Sequence, residues 1–140
     1  MNTTNFDNAF DRFCDDGYRP TGDREKQRIE FRKDGESFCL QLDQDYPELY
    51  RLSMPNFWLM ADQDDWLSAK RAAMHVNRTI KCACVNVSEK YDSAANASVK
   101  TDLLCDNFET FWLVWERAVK TLHAARNEFA KALREIQDAD

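Results

Sequence analysis

QRIEFRKDGESFCLQL, residues 27 to 42, decides the fold. Asp34-Gly35 is a strong type I′ turn dipeptide, and it sits between two runs that alternate apolar and polar side chains. A two-residue loop there places Phe31 opposite Phe38, Ile29 opposite Leu40 and Lys33 opposite Glu36. Turn chemistry and hydrophobic pattern choose the same register. A slip of one residue would turn the aromatic rings to the wrong side.

Alternation resumes downstream in ELYRLSM (48 to 54), with Tyr50, Leu52 and Met54 on one side. Pro55 and Asn56 interrupt it, which leaves FWLM (57 to 60) as a continuing edge strand or an apolar loop. ADQDD (61 to 65) supplies several helix caps. Trp66, Ala69, Ala73 and Val76 then mark one face of a helix over 64 to 78, widened by Leu67 and Met74. Residues 80 to 88 read as a strand, and EKYDSAAN (89 to 96) as a polar loop. Residues 97 to 105 read as its antiparallel partner, with Ala97, Val99, Thr101 and Leu103 on one face.

The chain closes with a helix from about 107 to 136, capped by Asp106 or Asn107 and carrying Glu109 in its first turn. Its stripe runs from Phe108, Phe111 and Trp115 to Phe129 and Ile136. Such a helix spans about 45 Å, more than a small sheet needs, so part of it is expected to meet a subunit or partner. Upstream of the hairpin, Phe6, Ala9, Phe10 and Phe13 predict a helix over 4 to 16, ended by Gly17. RPTGDREK (19 to 26) is left as a connector.

The order is therefore α-β-β-β-α-β-β-α: one α+β domain over 4 to 137, an antiparallel sheet flanked by helices on one face. The opposite face is either polar and solvated or covered by another chain. With 140 residues, nine Phe, four Trp and four Tyr, the chain can bury one core. Only three Gly and three Pro argue against a long low-complexity region.

Nineteen Lys plus Arg against 25 Asp plus Glu give a net charge of −6, which provides no general attraction to nucleic acid or an anionic membrane. The nearest basic cluster, REKQR (24 to 28), reads as the solvated start of a strand. No window approaches the roughly eighteen apolar residues of a membrane span. MNTTNFDNAFDRF (1 to 13) lacks the features of a secretory signal, and five cysteines, an odd number, fit reduced thiols. The expected setting is cytoplasmic.

TIKCACVNVS (79 to 88) raises the question of chemistry, because Cys82 and Cys84 on one strand would point the same way. A structural zinc needs four ligands, and no second close pair supplies them. The spacing is C-x-C at mid-strand, away from a helix N-terminus that would lower a thiol pKa. Packed thiols, with no metal and no cofactor, are the expectation. His75 and His123 lie on helices without a nucleophile or carboxylate that the sequence can place beside them. QLDQDYPE (41 to 48) and MADQDDW (60 to 66) do not follow the calcium-loop order of the EF-hand.

Three aromatic residues stand out for binding. Phe57 and Trp58, beside Pro55, are candidates for an exposed apolar patch, and Trp112 lies on the flank of the last helix's stripe. Phe111 and Trp115 belong to the core. Arg126 breaks the seam that a long coiled coil would need.

The early helix ending at DDGY (15 to 18), the hairpin RIEFRKDGESFCLQLD (28 to 43) and the segment HVNRTIKCACVNV (75 to 87) follow one another in a familiar order. With the second hairpin and the final NFETFWLVWERAVKTLHAARNEFAKAL (107 to 133), the chain resembles the YbjN family, whose members have the type III secretion chaperone-like fold. Asn77-x-x-x-Lys81 is the most family-like detail. The resemblance covers roughly 6 to 136. It implies an open, twisted antiparallel sheet with helices alongside, often in a dimer. Secretion chaperones of this fold bind an extended effector segment, YbjN-like proteins are linked to regulatory roles, and no catalytic residues carry across. The chain departs from the pattern in its Cys and Trp content, notably CAC (82 to 84) and FWLVW (111 to 115).

The expected function is a non-catalytic protein-interaction module, chaperone-like or regulatory, with a protein partner or a second copy as ligand and neither nucleic acid nor membrane. One alternative is an immunity or antitoxin-like protein capping a basic target. The other is an enzyme in which His75 or His123, a thiol and carboxylates converge.

Overall fold

A computed structural model describes residues 5–59, 65–88 and 96–139. Within them, helix α1 (Asn5–Asp15) is followed by strands β1 (Thr21–Asp23), β2 (Arg28–Lys33), β3 (Glu36–Leu42) and β4 (Leu49–Leu59). Helix α2 (Trp66–Thr79), strands β5 (Cys84–Val87) and β6 (Asn96–Leu104), and helix α3 (Phe108–Ala139) complete the chain. The strands form one antiparallel sheet in the order β1-β2-β3-β4-β6-β5. This is a single α+β domain with its helices against one face. Met60, most of the ADQDD cap candidates and the loop before Asn96 lie outside the described residues.

The β2–β3 hairpin has the expected register, with Phe31 opposite Phe38, Ile29 opposite Leu40 and Lys33 opposite Glu36. Asp34 and Gly35 both have positive φ, 53° and 80°. That is the backbone a type I′ turn requires, and it is why Gly follows an Asp there. Ile29, Phe31, Phe38, Leu40, Leu42, Tyr50, Leu52, Met54, Val85, Val87, Ala97, Val99 and Thr101 make the buried side of the sheet.

Aromatic rings gather where α1, β2 and α3 meet. Trp115, 1% exposed, has its ring 5.4 Å from Phe13, 5.8 Å from Phe31 and 5.7 Å from Tyr18, all edge to face. Phe13 stacks on Phe31 at 4.3 Å. Edge-to-face pairs of this kind add about 0.5–1.5 kcal/mol each beyond the area they bury. Nearer the start of α1, Phe6 and Phe10 lie so close to Gly22 of β1 that an added Cβ would stand 2.8 Å from the Phe6 ring. A glycine lets the helix rest there.

Four local readings are sharpened, two of them by correction. First, the connector after α1 contains β1, whose residues are all exposed and pair with β2 from Thr21–Glu30 to Asp23–Arg28. A three-residue strand with no buried side chain has no alternation to detect. Second, FWLM continues the strand up to Leu59: β4 runs on through Pro55, and beyond Ser53 its register pairs among the described residues are with β6. Pro55 and Asn56, the latter at φ 51°, sit in a bulge between the Met54–Val99 and Trp58–Ala97 pairs. The bulge removes the need for a ladder N–H at the proline.

Third, Ile80 to Ala83 form the exit of α2 rather than a strand, and β5 begins only at Cys84. Cys82 has φ 68°, so the pleat does not align it with Cys84. Both thiols are exposed, as is Cys14, and only Cys39 and Cys105 are buried. Fourth, α3 meets α2 within the chain. Its second half packs Ala125, Phe129, Ala132 and Leu133 against a fold layer that includes Ala69, Ala72, Ala73 and Val76 of α2. Small alanine side chains let the two helices approach closely. His75–Glu128 (2.9 Å) and Gln137–Asp65 (3.0 Å) tie their polar flanks. Of the two proposed caps for α3, Asn107 acts, its Oδ1 accepting from Thr110 N at 2.9 Å.

Asn77 has a special duty. Its Oδ1 accepts from Val85 N at 2.7 Å, and its Nδ2 donates to Val85 O at 3.0 Å. The two backbone groups of one strand residue point to the same side, here away from β6. Asn77 therefore pairs the outer border of β5, an edge strand, as another strand would. Replacing Asn77 by Ala should lower stability by about 1 kcal/mol in denaturant unfolding. It should also speed hydrogen exchange at Val85, while Asn77→Asp, which retains only the acceptor, falls between the two.

Candidate protein-binding surface

The three aromatic residues selected from the sequence do not form one patch. Phe57 and Trp58 are half-buried, and both rings meet Phe129 of α3, at 5.4 and 5.6 Å. The bulge in β4 brings these consecutive residues to the same helix. Trp112 is also half-buried, but it lies seventeen residues earlier on α3 than Phe129, about 25 Å along the axis. Its ring contacts Phe13 at 5.2 Å and Trp115 at 5.1 Å, and the Arg12 guanidinium lies 5.0 Å from its centre. All three are engaged in packing between elements.

The histidines have separate neighbours. His75 Nε2 meets Glu128 Oε1, whereas the His123 ring stands edge-on to Phe38 at 5.7 Å. Arg126 reaches across to pair with Glu36 at the start of β3. Among the described residues no group of three or more His, Cys, Asp or Glu is placed to hold a metal.

The sheet face that carries no helix is polar through its middle. There β2, β4 and β6 present Arg28, Glu30, Arg32, Arg51, Lys100 and Asp102, four cations against two carboxylates in a chain of net charge −6. Arg51 Nε donates to Asp102 Oδ1 at 2.7 Å across the β4–β6 pair, and Lys100 lies 3.7 Å from the same carboxylate. The hydrogen bond from Arg51 holds the Asp102 carboxyl below the ordinary carboxylate range, against the opposing effect of partial burial.

At one end of that face the chemistry changes. Leu49 and Leu104 are directly paired across β4 and β6, and Leu104 is 81% exposed. Tyr46, 65% exposed, arrives from the β3–β4 loop. Asp43 Oδ1 shapes that loop by accepting from Asp45 N and Tyr46 N at 2.8 and 3.2 Å. Asn5 Nδ2 of α1 fastens it through Pro47 O at 2.7 Å. Tyr46, Glu48, Leu49, Leu104, Cys105 and Asp106 line an open cleft of about 530 Å³.

Beneath the cleft, Tyr50 is fully buried, stacked on Phe111 at 4.7 Å, and its hydroxyl has no hydrogen-bond partner among the described residues. Burial, followed by the nearby charges of Cys105 and Glu48, pushes this phenol up to about 12.

None of the residues singled out from the sequence for binding lies at this end of the sheet. The signal was present in NASVKTDLL (96 to 104): outward positions Ser98, Lys100 and Asp102 are polar, and Leu104 breaks the run. Leu49, its cross-strand partner, breaks the same pattern in β4.

With this architecture established, likeness to known proteins can be placed on it. No protein-family model matches the chain, and no curated protein matches it. A solved structure does: that of YbjN from E. coli, described as a proposed transcription regulator, superposes with a TM-score of 0.64 over 86% of each chain at 12% identity. The fold is thus YbjN-like. At that identity the likeness speaks to fold alone. No helix among the described residues is long and apolar enough to cross a membrane.

Because the phenol of Tyr50 has a raised pKa in the folded state, folding favours its neutral form. The sign is set accordingly: no penalty arises below the ordinary value near 10, and stability falls as pH rises from there toward about 12. The loss should be on the order of 2–3 kcal/mol at most. Tyr50→Phe should flatten the decline in denaturant unfolding followed against pH, with little change at neutral pH, since the hydroxyl it removes has no partner.

Proposed function

We propose that the chain is a non-catalytic protein-interaction module, chaperone-like or regulatory, that holds a segment of a partner protein on the uncovered face of its sheet. One observation carries this reading. Leu104, Leu49 and Tyr46 expose adjoining apolar surface at one end of a face that is polar through its middle and carries one further exposed leucine, Leu59, toward its far end. Large apolar side chains gathered in one exposed place, with a polar surround, mark interaction surfaces more often than scattered ones do.

The alternatives within the fold are weaker carriers. Phe57, Trp58 and Trp112 are half-buried in packing between elements, so each offers only part of its ring to a partner. Strand addition at β5 would have to displace Asn77 from Val85. The likeness to YbjN is compatible with a regulatory role. An immunity-like role, capping one basic target, would draw on the same acidic surroundings of the cleft. A cytoplasmic setting belongs to the proposal and is supported by the free, exposed thiols of Cys14, Cys82 and Cys84.

The test is recovery of a stoichiometric protein partner on the tagged chain from gently prepared native lysate, followed by mass spectrometry. Leu104→Ser, at a site too exposed to alter folding by more than about 0.5 kcal/mol, should abolish that recovery. Recovery of no stoichiometric partner counts against the module reading. A partner retained equally by Leu104→Ser removes the binding surface from this end of the sheet.

A further inference from the structure

The cleft at the end of β6 combines two chemistries that select a ligand. Its apolar part is Leu104, Leu49 and Tyr46. Its polar part is anionic: Glu48 and Asp106 line it, and Asp43 and Asp45 stand in the loop that carries Tyr46. No lysine or arginine is among the residues that line it. Arg51, one step inward from Leu49 on the same face, is already paired with Asp102.

A second copy of the chain is a poor occupant. A two-fold contact would bring the same carboxylates against one another, and like charges facing across an interface disfavour it. An apolar membrane or an acidic peptide meets the same rim. A segment with an apolar side chain between cations satisfies both parts at once: the side chain covers Leu104 and Tyr46, and the cations meet Glu48 and Asp106. We propose that this cleft docks a short basic segment of a partner protein, one that carries leucine or phenylalanine between lysines or arginines. The proposal rests on the interaction-module reading and adds the chemistry of the ligand to it.

Fluorescence anisotropy on the intact protein tests it. The probe is a labelled synthetic peptide with Leu-Phe between Lys-Arg pairs, set against a counterpart in which Glu replaces every basic residue. The basic peptide should bind at least about tenfold more tightly, and its affinity should fall as salt rises. Leu104→Ser should weaken it by about tenfold or more, and Glu48→Gln combined with Asp106→Asn by several-fold, both variants unfolding like the parent. Equal binding of the two peptides, or binding of the basic peptide unchanged by Leu104→Ser, overturns the proposal. So does a concentration-dependent dimer in sedimentation that Leu104→Ser abolishes, since the occupant is then a second copy. A native partner whose capture needs Leu104 but ignores Glu48→Gln with Asp106→Asn overturns the basic specificity while leaving the module reading intact.

Discussion

The seating of Trp115 is the constraint on which the rest of the molecule depends. Its indole is met from three directions, by Phe13 at the end of α1, Phe31 on the first hairpin and Tyr18 in the connection between them. No one of these elements can bury its aromatic face without the others. Once the first turns of α3 are fixed there, the remainder of that helix must cross the sheet, placing Phe111 on Tyr50 and Phe129 beneath Phe57 and Trp58. α2 then fills the space along its second half. Helices therefore accumulate on one side of the sheet, and the other side is left to carry polar side chains.

That asymmetry sorts the side chains of the two faces. The buried side holds almost all the large aromatic groups, including those whose abundance in the sequence first suggested a binding surface. The uncovered side is built from arginines, serines and a few carboxylates that neutralise one another locally, such as Arg51 with Asp102. Against that background, a pair of facing leucines stands apart. Leu49 and Leu104 contribute little to the core, and a fold under no other demand would have polar residues at both places.

Much of this arrangement was legible in the chain because local and long-range signals agreed. Asp34-Gly35 demanded a particular turn, and the alternation of Ile29, Phe31, Phe38 and Leu40 demanded the same register. The stripe of α3 was readable over its whole length. What could not be read had a physical cause in each case. β1 has no buried residue, so it leaves no pattern. Pro55 forbids a ladder bond, and only tertiary structure shows that a bulge at Asn56 absorbs the interruption. Cys82 adopts a left-handed backbone that its neighbours do not announce, so CAC looked like strand when its first half is turn. Trp58 and Trp112 looked alike in sequence as candidate contacts, yet Trp58 packs on Phe129 in the second half of α3, whereas Trp112 belongs to its first half and packs on Phe13 of α1. The YbjN-like fold was suggested by the order of segments and is matched by the solved structure, whereas the cleft at Leu104 depended on two leucines far apart in sequence.

The amide of Asn77 links two parts of the molecule that would otherwise loosen independently. A border strand of four residues ordinarily frays by itself, because one row of its backbone faces water. Here that row at Val85 is completed by a side chain from the end of α2. The margin of the sheet thus inherits the durability of a helix, and a disturbance that unwinds the last turn of α2 leaves a strand border open to any passing chain.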